Sequence, residues 1–419
     1  MKKTVINTLL TNAITFIIGF TIQIIISRVF GPELTGSYFI AVFFVNIIFA
    51  FFSFSLSNTF IYIKKKFTDR DTLPSFVLMS SVLMISAMLM GLIFVYLFEK
   101  NLFSGCPVKI LFFFLLEIPF FFIVSLGQGI LFSEERIIRF NAYSLTAKII
   151  LLAGTLSVYH IKSIYIPIAA SILSQVILAL LLIKKAKINL KPGFDREVIA
   201  ESMKYGFVIN STIVITLLHY RADVFLINML VGTYFVGIYS VAAGISERIW
   251  ILSNSISTSL FPKVVNVNDE IEKVRITNRV SRISNTFSFV IVIIMEFFAD
   301  SIISIFFKDK FIGAISPMRI ILPGIYMIGM SRLLSNYLSA VGKQKVLLYT
   351  KFTALAINIY LNLLLIPQMG INGAALSTLI TYLLSTTAVL IYYCRKTKSK
   401  ILEVAIIRYD DIRSILKNA

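Results

Sequence analysis

Twelve apolar runs divide this chain, centred on residues 5–28, 35–62, 73–98, 108–132, 140–159, 163–183, 206–231, 234–261, 283–307, 314–340, 346–366 and 371–393. Crossing about 30 Å of hydrocarbon takes about 20 mostly apolar residues in a helix. The 419 residues are 58% hydrophobic and include 37 Phe, more apolar surface than a soluble core of this size needs. The bilayer is therefore the expected solvent, and the fold class is an all-α polytopic membrane protein with about twelve transmembrane helices. The basic start "MKKTVINTLLTNAITFIIGFTIQIIISR" carries an apolar stretch too long and too polar-marked for a cleaved signal, so it reads as the first span.

A formal net charge of +19 would suit nucleic acid, but the cations sit between apolar runs, which is the pattern of topology and not of a basic groove. With the N-terminus in the cytoplasm, 28 Lys and Arg fall on the inner side (Lys64, Lys65, Lys66, Arg70, Arg136 and Arg139 among them) and six on the outer side. Both termini are thus expected inside. Two cysteines and two histidines give no disulfide framework, metal or haem site. No nucleophile–base set and no phosphate loop stands out. The expectation is a protein that is not an enzyme, with no cofactor, no metal and no nucleic-acid partner.

Six cations (Lys148, Arg221, Arg248, Arg319, Arg332, Lys351) and five acids (Glu117, Asp223, Glu247, Glu296, Asp300) fall inside the spans. Each costs about 2.5–3.5 kcal/mol at the centre of a helix on insertion scales, so each needs a partner, a wet cavity or a function. In "LHYRADVFLIN", Arg221 and Asp223 point about 200° apart on a helix. Arg221 shares a face with Asn210 and Asn228; Asp223 shares one with His219, Thr216 and Thr212. Helix seven is then buried on both sides, with interhelical ion pairing as the competing reading for both charges. Helix one carries a polar stripe of Thr8, Asn12, Thr15, Gly19 and Gln23, ending near Arg28. Cavity lining and helix packing both explain such a stripe. Arg319, Arg332 and Lys351 lie toward helix ends and read as snorkelling side chains.

The two halves echo one another. "GPELTGSYFIA" from Gly31 and "GTYFVGIYSVA" from Gly232 share the pattern G-x4-G-x-Y-x-x-A, aligning Gly36 with Gly237, Tyr38 with Tyr239 and Ala41 with Ala242. Six spans separate the copies, so the repeat is parallel. The glycines permit a tight outer turn, and the tyrosines suit a headgroup anchor. The expected division is 1–183 for a first six-helix lobe, 184–205 for a cytoplasmic linker, 206–395 for a second lobe and 396–419 for an amphipathic tail. Linker and tail are both expected to lie along the cytoplasmic leaflet, the tail on a face of Leu402, Ala405, Ile406, Tyr409, Ile412 and Leu416. Partner binding is the competing reading for the tail.

"SRVFGPELTGSYFIAV", "SMKYGFVIN" with "DVFLINMLVGTYFVGIYSVA", "YLSAVGKQKVLL" and "LNLLLIPQMGINGAALSTLI" together resemble, in order, the signatures of Wzx-type polysaccharide transporters. The resemblance spans residues 1 to about 395. It implies the multidrug/oligosaccharidyl-lipid/polysaccharide exporter fold, two six-helix lobes around a central cavity that alternates between faces. That superfamily also holds drug exporters and a lipid II flippase, so the fold leaves the cargo open.

The charge balance narrows it. A drug exporter for organic cations wants an acidic cavity, whereas Arg221, Arg248 and Lys148 lie at mid-depth with Arg28 above. Arg forks match phosphate oxygens and stay charged at any depth. The expected cargo is an undecaprenyl-diphosphate-linked oligosaccharide for O-antigen, capsule or related assembly. Arg221, Arg248, Lys148, Arg28, Asn12, Gln23, Asn210 and Asn228 are the substrate candidates. Asp223, Glu247, Glu117, Glu296 and Asp300 are candidates to couple H⁺ or Na⁺. The expected location is the bacterial inner membrane, among membrane lipids, beside a polysaccharide polymerase and chain-length regulator. The alternatives are an ion-coupled multidrug antiporter of the same fold and a non-transporting scaffold subunit of a glycan-assembly complex.

Overall fold

The computed structural model describes residues 2–186, 188–251, 269–408 and 411, with single positions 253, 254, 256, 257, 260, 264 and 267. Side chains are described from Asn7 onward. Among the described residues all regular structure is helical, and ten helical stretches are long and apolar enough to cross a membrane. The first of them, Asn7–Lys66, holds both of the first two expected spans. The eighth span is represented by a helix over Thr233–Ser246 and a 3-10 turn over Glu247–Ile249, and its remaining residues lie partly outside the described set.

Two compact units divide the chain at Gly237/Ile238. The first contains α1 (Lys2–Phe52), α2 (Leu56–Lys66), α3 (Leu73–Phe98), α4 (Val108–Leu115), α5 (Ile118–Ser133), α6 (Ile137–Leu156), α7 (Tyr165–Lys185), α8 (Arg196–Val231) and the start of α9 (Thr233–Ser246). α1 turns sharply at Gly31, whose φ of 74° and ψ of −176° suit glycine, and Pro32 follows without an N–H to continue the ladder. Gly232 adopts the matching conformation, φ 98° and ψ 166°. The repeat read in the sequence is therefore a repeat of backbone geometry. Its tyrosines are a correction: Tyr38 and Tyr239 are 6% and 1% exposed, so they are core side chains and not headgroup anchors. Tyr38 packs edge-on against Phe114 at 5.3 Å.

α8 is also longer than expected. Residues 196–205 do not form a separate segment along the membrane surface but are the first turns of a 36-residue helix. Asp195 caps it through the N–H groups of Glu197 (3.0 Å) and Val198 (3.2 Å). Contacts with the end of α2 hold this extension. Lys66 pairs with Glu201 at 2.7 Å, Arg70 with Asp195 at 3.1 Å, and the rings of Tyr62 and Tyr205 stack at 3.8 Å.

The second unit holds the rest of α9, then α10 (Glu270–Phe297), α11 (Ala299–Phe307), α12 (Ile315–Ala340), α13 (Gln344–Met369), α14 (Ile371–Thr397) and α15 (Ile401–Ala405). Its core joins Met330, Leu333, Leu334 and Leu338 of α12 to Val389, Leu390 and Tyr393 of α14 and to Val404 of the tail. α10 starts at Glu270, so much of the expected cation-bearing loop before the ninth span is helix, capped by Asp269. The tail is held against α10. Arg282 donates to both carboxylate oxygens of Asp411 (2.7 and 2.9 Å) and to the Glu403 carbonyl (2.7 Å). Leu402 and Ile406 of its expected apolar face are exposed, while Tyr409, Ile412 and Leu416 lie outside the described residues.

Candidate functional site

A cavity of about 470 Å³ opens in the first unit. α1 contributes Val42, Phe43, Asn46, Phe49 and Ala50; the α1–α2 break contributes Ser53, Ser55, Ser57 and Asn58; α5 contributes Ser125; α8 contributes Ile213, Leu217 and Arg221. The break exists because Phe54 and Ser55 take left-handed backbone conformations, φ 44° and 50°. That turns a run of serines out of the apolar helix and into the cavity wall. Among the described lining residues Arg221 is the one cation and none is an acid. The Arg221 guanidinium lies over the Phe43 ring at 4.5 Å, a geometry that steadies the planar fork.

Asn210 and Asn228 share helix seven with Arg221, as expected, but their amides are spent elsewhere. Asn210 donates to the carbonyls of Ala50 (2.8 Å) and Phe51 (3.2 Å) and accepts from Ser53 Oγ (3.0 Å) and the Ser55 N–H (3.1 Å). It holds the α1–α2 break open and so positions the serine wall. Asn228 donates to the carbonyls of Leu102 (2.8 Å) and Ser104 (3.0 Å) and accepts from Thr233 (2.8 Å), tying down the loop after α3. Neither lines the cavity.

The other candidates are not among the lining residues of this cavity. Asn12 and Arg28 are exposed and Gln23 is buried on α1. Asp223 is buried at 5% exposure beside the Val224 N–H, which it accepts at 2.8 Å. Lys148 is half-buried on α6 and interacts electrostatically with buried Glu117, between α4 and α5. Glu247 and Arg248 sit half-buried in the 3-10 turn of the second unit. Glu296 and Asp300 form a half-exposed triad with Arg319, at 3.7 and 2.7 Å, which gives that arginine partners where snorkelling was expected.

Several contributors went unread in the sequence. Phe43, Asn46, Ser125 and the serines of "FSFSLSN" line the cavity, and only the density of Ser and Asn in that apolar run signals it. In the second unit Arg332, expected to snorkel, stacks over Trp250 at 4.0 Å and donates to Asn254 Oδ1 at 2.6 Å. Asn358 and Asn362, one turn apart on α13, are fully buried and linked at 2.9 Å, with Asn358 reaching Thr381 at 3.3 Å.

The sequence model of a family described as "Polysaccharide biosynthesis protein" matches residues 25–316. Two uncharacterized membrane proteins of Methanocaldococcus jannaschii are similar in part. One is 32% identical over 161 residues, 38% of this chain and 37% of the relative; the other is 24% identical over 243 residues, 54% and 46%. The matches thus span under half the length of these relatives. Among solved structures, a lipid II flippase MurJ in an inward closed conformation matches with TM-score 0.81 at 17% identity, covering 96% of this chain and 89% of that one. An inward-facing multidrug resistance MATE family transporter matches with TM-score 0.71 at 14% identity, covering 92% and 94%. A MOP superfamily transporter from Pyrococcus furiosus, described as having a binding pocket of reverse polarity, matches with TM-score 0.69 at 14% identity, covering 95% and 96%. At these identities the likeness shows the fold.

Proposed function

This chain belongs to the polysaccharide biosynthesis protein family and among its described residues has ten helical stretches long and apolar enough to cross a membrane, and from that premise we propose that it is a transporter that flips a lipid-linked oligosaccharide. The cargo is an undecaprenyl-diphosphate-linked repeat unit, moved from the inner to the outer leaflet by alternating access for O-antigen, capsule or other surface glycan. The observation that carries this reading is the cavity wall: among the described residues, one arginine braced on an aromatic ring, six serines and asparagines around it, and no acid. A diphosphate matches the planar fork of Arg221, a glycan uses the hydroxyl and amide wall, and the polyprenyl tail stays in lipid. An organic cation would meet like charge there.

On this reading the protein works in the bacterial inner membrane, both termini cytoplasmic, beside the polymerase and chain-length regulator that use its product. An H⁺ or Na⁺ gradient drives it, with Asp223 and Glu247 among the acids able to take up the ion. Deleting the gene tests the cargo: membrane lipids should accumulate a polyprenyl-diphosphate glycan that stays on the inner leaflet. No such accumulation, with sensitivity to cationic dyes instead, would select the antiporter.

A further inference from the structure

Glu117 is a buried acid outside the cavity lining. It occupies the two-residue gap between α4 and α5 and is 4% exposed. Pro119 makes that gap, since it offers no N–H to the Leu115 carbonyl and breaks the ladder. The Glu117 N–H turns back to the Phe114 carbonyl at 2.9 Å, and its own carbonyl takes the Phe121 N–H at 3.0 Å. Its Oε1 is buried without a hydrogen-bond partner.

The surroundings supply little else. α7 brings the Ser171 hydroxyl, a hydrogen-bond partner of the carboxyl, and α6 brings Lys148, which interacts with it electrostatically. α1 brings Tyr38. Of the other titratable groups on the packed elements, Lys109 opens α4, Arg28 and Glu33 flank the Gly31 turn of α1, Arg139 and Tyr143 lie in the first two turns of α6, Tyr96 is exposed on α3, Tyr165 opens α7, and Lys184 and Lys185 close it. Tyr62 and Lys64–66 of α2 lie toward the far end of α5, where Lys64 reaches Ser133.

A carboxylate with an unpartnered oxygen is costly inside a membrane. Two arrangements relieve that cost: a proton on the carboxyl, or closure of the anion onto Lys148. The broken ladder at Pro119 places a hinge for α5 beside the carboxyl. We propose that Glu117 is a proton-binding site of this protein, with Lys148 as the counter-charge that replaces the proton when it leaves. The proton passes to water, Lys148 stays an ammonium, and the charge of the pair falls from +1 to zero. α5 carries Ser125 in the cavity wall two turns further on, so proton loss moves part of the cargo site. That use of the proton rests on the transport reading above; its binding does not.

The test is infrared difference spectroscopy of the full chain in phosphatidylethanolamine/phosphatidylglycerol vesicles, taken across a pH titration without cargo. A carboxylic C=O band should titrate in the wild type, persist in E117D and vanish in E117Q at unchanged melting temperature. K148M should move its midpoint by about one pH unit or more. A spectrum identical in E117Q, or a midpoint unmoved in K148M, would overturn the proposal. If E117Q fails to fold, K148M decides alone. A wild type that shows the band but flips no glycan supports the proton site and removes the transport reading.

Discussion

Gly36 and Gly237 pack backbone to backbone: a Cβ on Gly36 would strike the Thr233 carbonyl oxygen and stand 2.9 Å from the Gly237 nitrogen, and one on Gly237 would strike the Pro32 carbonyl oxygen. The paired glycines of the repeat are thus a mutual contact, and neither φ is positive, so the requirement is for space. Gly36→Ala or Gly237→Ala must push main chain apart, an overpacking cost of about 1–3 kcal/mol. Melting of the detergent-solubilised protein should fall for both. Gly313→Ala, where a Cβ would meet only Ile238 side-chain atoms at 3.5 Å, should melt like the wild type.

Asn210→Ala should destabilise by about 1–3 kcal/mol, because it leaves buried main-chain groups of the α1–α2 break without partners. The same melting measurement checks it. An unchanged melting temperature with impaired cargo binding would return Asn210 to the cavity wall.

Span-scale organisation was legible in the sequence because span length and the Gly-x4-Gly turn are local signals. The third span, expected at 73–98, is the helix Leu73–Phe98. The helix-seven stripe was legible as polarity and not as partnership. Asn210 and Asn228 fall on the face of Arg221, yet their carbonyl partners lie more than 100 residues away. The start of α8 was hidden for a similar reason: residues 196–205 read as a surface amphipath, and what makes them helix seven is Lys66, Arg70 and Tyr62. No local pattern reports such contacts.

Arg221→Lys keeps the charge but loses the fork and the stack on Phe43, a contact worth about 0.5–2 kcal/mol. Glycan translocation should fall several-fold in Arg221→Lys and Phe43→Leu, by much more in Arg221→Ala, and non-additively in the Arg221→Lys/Phe43→Leu pair. Additive losses at matched membrane abundance would mean that Phe43 does not position the guanidinium.

The tail contact should be acid-labile. The Arg282 hydrogen bonds, with the Arg408 N–H, hold the Asp411 carboxyl below its ordinary range. A depressed carboxyl stabilises above its unfolded value of about 3.9 and loses that contribution as pH falls through the folded value. Protease cleavage near Glu403 should therefore stay slow at neutral pH and accelerate only below about pH 4. Asp411→Asn should release the tail at neutral pH.

The most direct measurement is translocation itself: purified protein in vesicles loaded with a polyprenyl-diphosphate oligosaccharide, with outer-leaflet glycan read by an impermeant glycosidase. The account predicts protein-dependent exposure of glycan beyond the half already outside, lost in Arg221→Ala. Exposure no faster than in protein-free vesicles, by a protein that instead moves cationic dyes down or against a pH gradient, would contradict it.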